Sequence, residues 1–154
     1  MSYHDIKPYI IHLSTFRVMI CRFCEICIPP KDPLNHYKRH HTAKKDDPVP
    51  MKVRHKIADY MTTLDLCQSQ EVIPPDNRVP ELKVIKEGFM CNFPGCDGCA
   101  TSEHSMRTHY YIHQKHIPKD FKNWESTALQ TFFDDHHKKY DMLFISRLMV
   151  GILQ

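Results

Sequence analysis

Between Cys91 and His116 the chain reads CNFPGCDGCATSEHSMRTHYYIHQKH, with three cysteines and four histidines in one short polar stretch. Thiolates and imidazoles are the ligands a zinc ion takes, and a structural site needs four of them arranged as a tetrahedron. Cys91, Cys96, His109 and His113 follow the spacing C-x4-C-x12-H-x3-H, inside the window of a C2H2 finger. A turn between two strand ends would present the thiolates. A helix would present the histidines, which at i and i+4 share one face. Ala100 and Met106 stand where such a unit packs its core, Thr101 and Ser102 offer N-caps, and Pro118 ends the segment. His116 is the alternative to His113 as a ligand. Cys99 reads as a small buried thiol, and His104 as an exposed helix position.

A second group lies upstream in CRFCEICIPPKDPLNHYKRHH. Cys21 and Cys24 form a C-x2-C pair, and eleven residues separate Cys24 from His36. The fourth ligand is His40 or His41; the choice is close, with His41 slightly ahead on spacing. Asp32-Pro33 is a natural N-cap and first-turn pair for the helix that would carry the histidines. Cys27 is the spare thiol that matches Cys99. The two stretches therefore repeat one plan, which calls for two zinc ions per chain. Units this small bury too little apolar surface to fold alone, and a structural zinc supplies the missing folding free energy. Four protein ligands close each site and leave no position for an activated water, so catalysis by the metals is not expected; with no nucleophile motif and no Gly-rich phosphate loop, neither is other enzyme chemistry.

The elements that must hold these ligands are legible in part. Phe16, Val18 and Ile20 alternate with Arg17 and Met19, a strand that runs into the first cysteine pair. LKVIKEGFMC does the same for the second, with Gly88 bending it. Val53, Ile57, Tyr60, Met61, Leu64 and Cys67 fall on one face of a helix starting after Pro50. The expected architecture is a small zinc-stabilised α+β protein, two divergent ββα-type C2H2 fingers bridged by that amphipathic helix. The expected boundaries are a first unit over 8–45, the bridging helix over 50–68, a proline-rich linker over 69–81 and a second unit over 82–118. Residues 119–154 hold a buried segment or short strand at ALQTFF, with Trp124 and Phe132 as core candidates, and an apolar tail.

Composition narrows the class. The chain has 154 residues, 42% of them hydrophobic, and a net charge of +3, which suits one ordinary domain or two very small ones. No run approaches the roughly 18 apolar residues of a membrane span. Seven cysteines, an odd number, with no secretory leader in MSYHDIKPYI, point to a reducing intracellular compartment and to metal rather than disulfides.

The blocks ICRFCEICIPPKDPLNHYKRHH, GFMCNFPGCDGCATSEHSMRTH and ALQTFF…KKY together resemble a fungal domain family typified by orsellinic acid cluster protein D. The resemblance spans roughly residues 8 to 140, and its most specific marks are the finger order, HSMRTH and LQTFF. It implies two degenerate C2H2 fingers with Cys21, Cys24, His36, His41, Cys91, Cys96, His109 and His113 as ligands. Such domains often sit near the N-terminus of larger proteins. After KKY this chain departs from the family, running into DMLFISRLMVGILQ.

Two functions compete. In a DNA-reading finger, helix positions −1, 3 and 6 touch successive bases. Here they are Ser102, Ser105 and Thr108, none of which makes the bidentate contacts of Arg, Asn or Gln. Base readout is therefore weak, but Lys38, Arg39, Lys44, Lys45 and Arg107, with Lys52, Arg54 and Lys56 nearby, could follow a DNA or RNA backbone. That reading places the protein in the nucleus as a weakly specific nucleic-acid-associated module. The alternative is a zinc-stabilised protein-interaction module, docking through the apolar tail from Met142 to Leu153. Neither involves a membrane or a small-molecule substrate.

Overall fold

A computed structural model describes residues 3–41, 47–73, 75, 77–134 and the backbone of 142–145. It is a small α+β structure with two antiparallel sheets and three α-helices among the described residues. The chain divides into two units. The first comprises Met1–Pro74, Pro80–Lys83 and Thr131–Asp141, and the second Pro75–Val79, Val84–Gln130 and Met142–Gln154.

In the first unit, β1 (Ile10–Leu13), β2 (Val18–Cys21) and β3 (Ile26–Cys27) form a sheet in that order. Ile10 lies opposite Cys21, and Cys21 opposite Ile26. The hairpin between β2 and β3 turns through Glu25, whose φ of 56° is left-handed. Its N–H donates to the Cys21 carbonyl at 2.8 Å, closing the loop that carries both cysteines. Helix α1 (Pro33–His40) starts where Asp32 accepts the Asn35 N–H at 3.1 Å, with proline inside the first turn, where its missing donor costs nothing. It stops at His41, whose φ of −125° and ψ of 89° leave the helix.

Helix α2 (Met51–Met61), expected as a bridge, belongs to the first unit. Its apolar face is spent inside the first one, where Ile57 and Met61 join Ile6, Ile10, Met19, Ile28, Tyr37 and Val49 in one core. The helix ends before Leu64 and Cys67, so these two pack from the segment that follows it. Alternation placed Met19 on a polar face, yet β2 is buried along its whole length. The reason is that this sheet is covered on both sides. Phe132 sets its ring 5.3 Å from Phe16 and its carbonyl accepts the Cys27 N–H.

In the second unit the sheet order is β5 (Cys99–Ala100), β4 (Val84–Cys91), β6 (Trp124–Thr131), β7 (Met142–Ile145). The register of β4 against β6 slips between Ile85 and Gly88. A side chain at Gly88 would run into Leu129, so glycine permits the close approach of these strands. Helix α3 (Glu103–Tyr110) is capped by Ser102, which accepts the Ser105 N–H at 3.1 Å. Cys91, Ala100, Met106, Tyr110 and Trp124 make the core. The segment expected to follow the second unit thus supplies one of its strands. Of the apolar tail, residues 142–145 form an edge strand of this sheet and the remainder, like Lys44 and Lys45, lies outside the described residues.

Candidate metal centres

Each unit contains one group of two cysteines and two histidines. One donor atom from each of Cys21, Cys24, His36 and His41 lies within 4.8 Å of the others, and the same holds for Cys91, Cys96, His109 and His113. Tetrahedral coordination with Zn–S of ~2.3 Å and Zn–N of ~2.0 Å sets the S···N edge at about 3.6 Å. In the first group His41 Nε2 stands 2.9 Å from Cys24 Sγ and 3.4 Å from Cys21 Sγ. In the second, the Nε2 atoms of His109 and His113 each stand 3.2 Å from Cys96 Sγ. Both groups have nearly the size a single ion would impose.

The local fold explains how each ligand arrives. Cys21 ends β2 and Cys24 lies in the tight hairpin after it. Cys91 ends β4 and Cys96 sits in the loop to β5, where Gly95 takes a φ of 76°. Backbone amides point at the sulfurs: Gly98 N–H donates to Cys96 Sγ at 3.3 Å and Phe93 N–H to Cys91 Sγ at 3.5 Å. In α1, His36 faces inward while His41 is the first residue beyond the helix. His113 was expected on the same helix as His109, but α3 ends at Tyr110. The chain tightens there, with His113 N–H reaching the Tyr110 carbonyl at 3.0 Å, and the imidazole still comes round to Cys96. Its ring stacks on Phe93 at 4.1 Å, with 5° between the planes.

Protonation supports the same chemistry. The thiols of Cys21 and Cys24 titrate as a pair. Cys21 is drawn well below the usual thiol range, chiefly by a hydrogen bond from Cys24, against the opposing effect of burial, and with help from His36 and the amides of Cys24 and Phe23. Cys24 is pushed up by that same bond, by burial and by the Cys21 charge. A thiol that keeps its proton must lose it when a metal binds. His36 favours the Cys21 thiolate, yet its buried Nε2 meets hydrogen-bond geometry with no neighbour among the described residues. A buried imidazole nitrogen with no partner is costly, and a metal bond relieves that cost. The donor set fits the ion.

A model of the family described as orsellinic acid/F9775 biosynthesis cluster protein D matches residues 9–116. The chain belongs to this family. No curated protein and no solved structure matches it. The span shared with the orsellinic acid cluster protein D family takes in both Cys/His groups and stops short of β6. The family description names no reaction, so the function is argued from the two groups.

The remaining candidates are placed as follows. His40 stays outside the first group and faces Asp134 at 3.6 Å, with burial and the neighbouring His36 holding its imidazole below the ordinary range against the pull of Asp134. Cys99 is half-buried on β5, its thiol pushed up to about 12 by burial first and nearby negative charge second. Arg107 is spent on the fold: its guanidinium donates to the carbonyls of Pro118, Lys119 and Phe121 and lies over the Trp124 ring. Arg39 donates to the Asp134 carbonyl, and Lys38 is exposed on α1.

Three residues that matter to the groups escaped the sequence reading. Arg54 counted there among basic surface residues, but it is buried and paired with Asp47 at 3.0 Å. Asp47, the partner of Arg54, also faces His41 Nδ1 at 3.3 Å. At Gly98, a β-carbon would overlap the His109 ring. The spacing of Asp47 just past a ligand histidine was the available sign, since histidine ligands commonly rest on a carboxylate.

Proposed function

We propose that the chain is a zinc-folded module, two divergent C2H2 fingers of strand–strand–helix order, and that its role is to present a rigid surface to a protein partner rather than to catalyse. The convergence of two cysteines and two histidines within 4.8 Å, in each of two units, carries this reading. Thiolate and imidazole in a tetrahedral S2N2 set favour zinc over hard cations such as magnesium and calcium. With four protein donors per ion the centres are structural, and neither holds a site for an activated water. No described helix is long and apolar enough to cross a membrane.

The nucleic-acid alternative is weakened by where its residues are engaged. Arg107 and Arg39 donate to backbone carbonyls and Arg54 is buried. At the base-reading positions, Ser102 and Ser105 bond each other and the Thr108 hydroxyl donates to the His104 carbonyl. What remains is phosphate contact through exposed lysines such as Lys38, and that would show as a steep salt dependence of duplex binding.

Metal analysis of the purified chain tests the reading, with about two zinc ions per chain expected from the two donor groups. A chelator should abolish the helix signal in circular dichroism. Cys96→Ser should remove one ion and melt the second unit, whereas Cys99→Ser should keep both ions. A metal-free chain with an unchanged thermal transition would refute the proposal, and loss of an ion in Cys99→Ser would refute the ligand set.

A further inference from the structure

The first group has a buried polar layer behind it that ligation alone does not require. His41 Nε2 faces the two sulfurs, and its Nδ1 lies 3.3 Å from Asp47 Oδ1. Asp47 is itself held on both oxygens. Oδ1 accepts the Val49 N–H at 2.8 Å and Oδ2 meets the Arg54 guanidinium at 3.0 Å. Arg54 in turn donates from Nε to the Val49 carbonyl at 2.8 Å and from a terminal nitrogen to the His41 carbonyl at 3.4 Å, and its head lies 5.5 Å from the Tyr37 ring centroid. The side chains of His41, Asp47 and Arg54 are 4%, 9% and 7% exposed.

We infer that Asp47 and Arg54 are positioning residues for the first metal centre, and that they select His41 over His40 as its fourth ligand. The inference rests on the reading that this group holds a metal. An imidazole can ligate only through a nitrogen without a proton, so with Nε2 turned to the sulfurs the proton sits on Nδ1 and is donated to Asp47. That bond fixes both tautomer and ring orientation. It is needed here because His41 has left α1, so helix geometry no longer aims its side chain. His40, still in the helix, is turned to Asp134 instead. A buried ion pair adds little to stability over an apolar pair of the same shape, and orientation is a use that offsets its desolvation. Through Arg54 the arrangement ties α2 to the metal centre.

The test is competition between the full-length chain and a chromophoric zinc chelator, repeated with cobalt(II) to read the ligand field. The first-centre step is assigned as the one that Cys24→Ser abolishes. Asp47→Ala should weaken that step by roughly 10- to 100-fold and perturb its cobalt spectrum, with the second-centre step unmoved. Asp47→Asn keeps an acceptor oxygen for His41 and should fall between wild type and Asp47→Ala. If Asp47→Ala unfolds the unit, Asp47→Asn decides alone. A first-centre affinity within twofold of wild type in the deciding variant overturns the positioning role while leaving the metal reading intact. A wild-type chain with no Cys24-dependent step overturns both.

Discussion

Substituting Gly98 by alanine should separate folding from metal binding in the second unit. The β-carbon of an alanine there would overlap Cε1 and Nε2 of His109 and come within 3.0 Å of its Cδ2. In the metal-free chain the ring is the end of a two-torsion side chain and can swing away at little cost. Once Nε2 is bound it cannot, because Met106 and Tyr110 anchor α3 in the core and fix where the imidazole starts. The overlap is therefore charged almost wholly to the metal-bound state. Forcing a methyl into packed surroundings costs about 1–3 kcal/mol, which is roughly five- to 150-fold in affinity. Zinc competition on the full chain reads this directly, with loss expected at the second centre and none at the first. An affinity within twofold of wild type at the second centre would mean that the ring is not held at the ion, and the assignment of His109 would fall.

His41→Ala should reduce the metal content from two equivalents to one, while His40→Ala, which removes the Asp134 contact and the ring contact with His36, should keep two; the reverse pattern would overturn the choice of ligand. Metal affinity at the first centre should rise with pH between 6 and 8, by about tenfold per unit for each proton released. The sign follows from Cys24, which is pushed up and so holds a proton when the metal is absent and loses it on binding. A pH-independent affinity in a zinc competition series would contradict the paired-thiol account.

What the sequence made legible was chemistry set by short spacings. The two groups of cysteines and histidines that come together, the Asp32 and Ser102 caps and the strands entering each cysteine pair depend on residues within a few positions of one another. Pairings between distant segments were not legible. An amphipathic face on α2 says that something covers it, without saying that Tyr37, Ile10 and Met19 do. ALQTFF read as a buried strand, but nothing local tells that Trp124 lies opposite Cys91, or that Phe132 caps the β3 edge. Spacing left His40 and His41 nearly equal, and what separates them in the structure is a helix that ends at His40, a boundary that periodicity cannot resolve. Arg54 and Asp47 misled for a related reason. Charge in a sequence reads as solvent exposure unless its partner is visible, and nothing local shows that Asp47 and Arg54 meet.

The two units share a ligand plan but brace it differently, and the difference bears on what each helix can do. In the first, the brace is electrostatic and buried, running from the ligand histidine through Asp47 to Arg54 on α2. In the second, it is aromatic and peptide-based. Tyr110 packs on Trp124 and Phe121 and accepts a hydrogen bond from Asn123, while Arg107 gathers three carbonyls and covers the Trp124 ring. An arginine in that position would have to give up all of those donors to reach a phosphate, and the carbonyls it left would lose partners. Arg107 and Tyr110 are thus committed to holding α3 against the segment that leads into β6. On the proposed reading, a helix used as an internal strut would leave recognition to the surfaces around it, where Phe93, Tyr111 and Ile112 are exposed beside the second group. If a metal fixes that frame, aromatic and aliphatic side chains on it would suit contact with protein better than contact with a polyanion, because their contribution comes from desolvation rather than from charge.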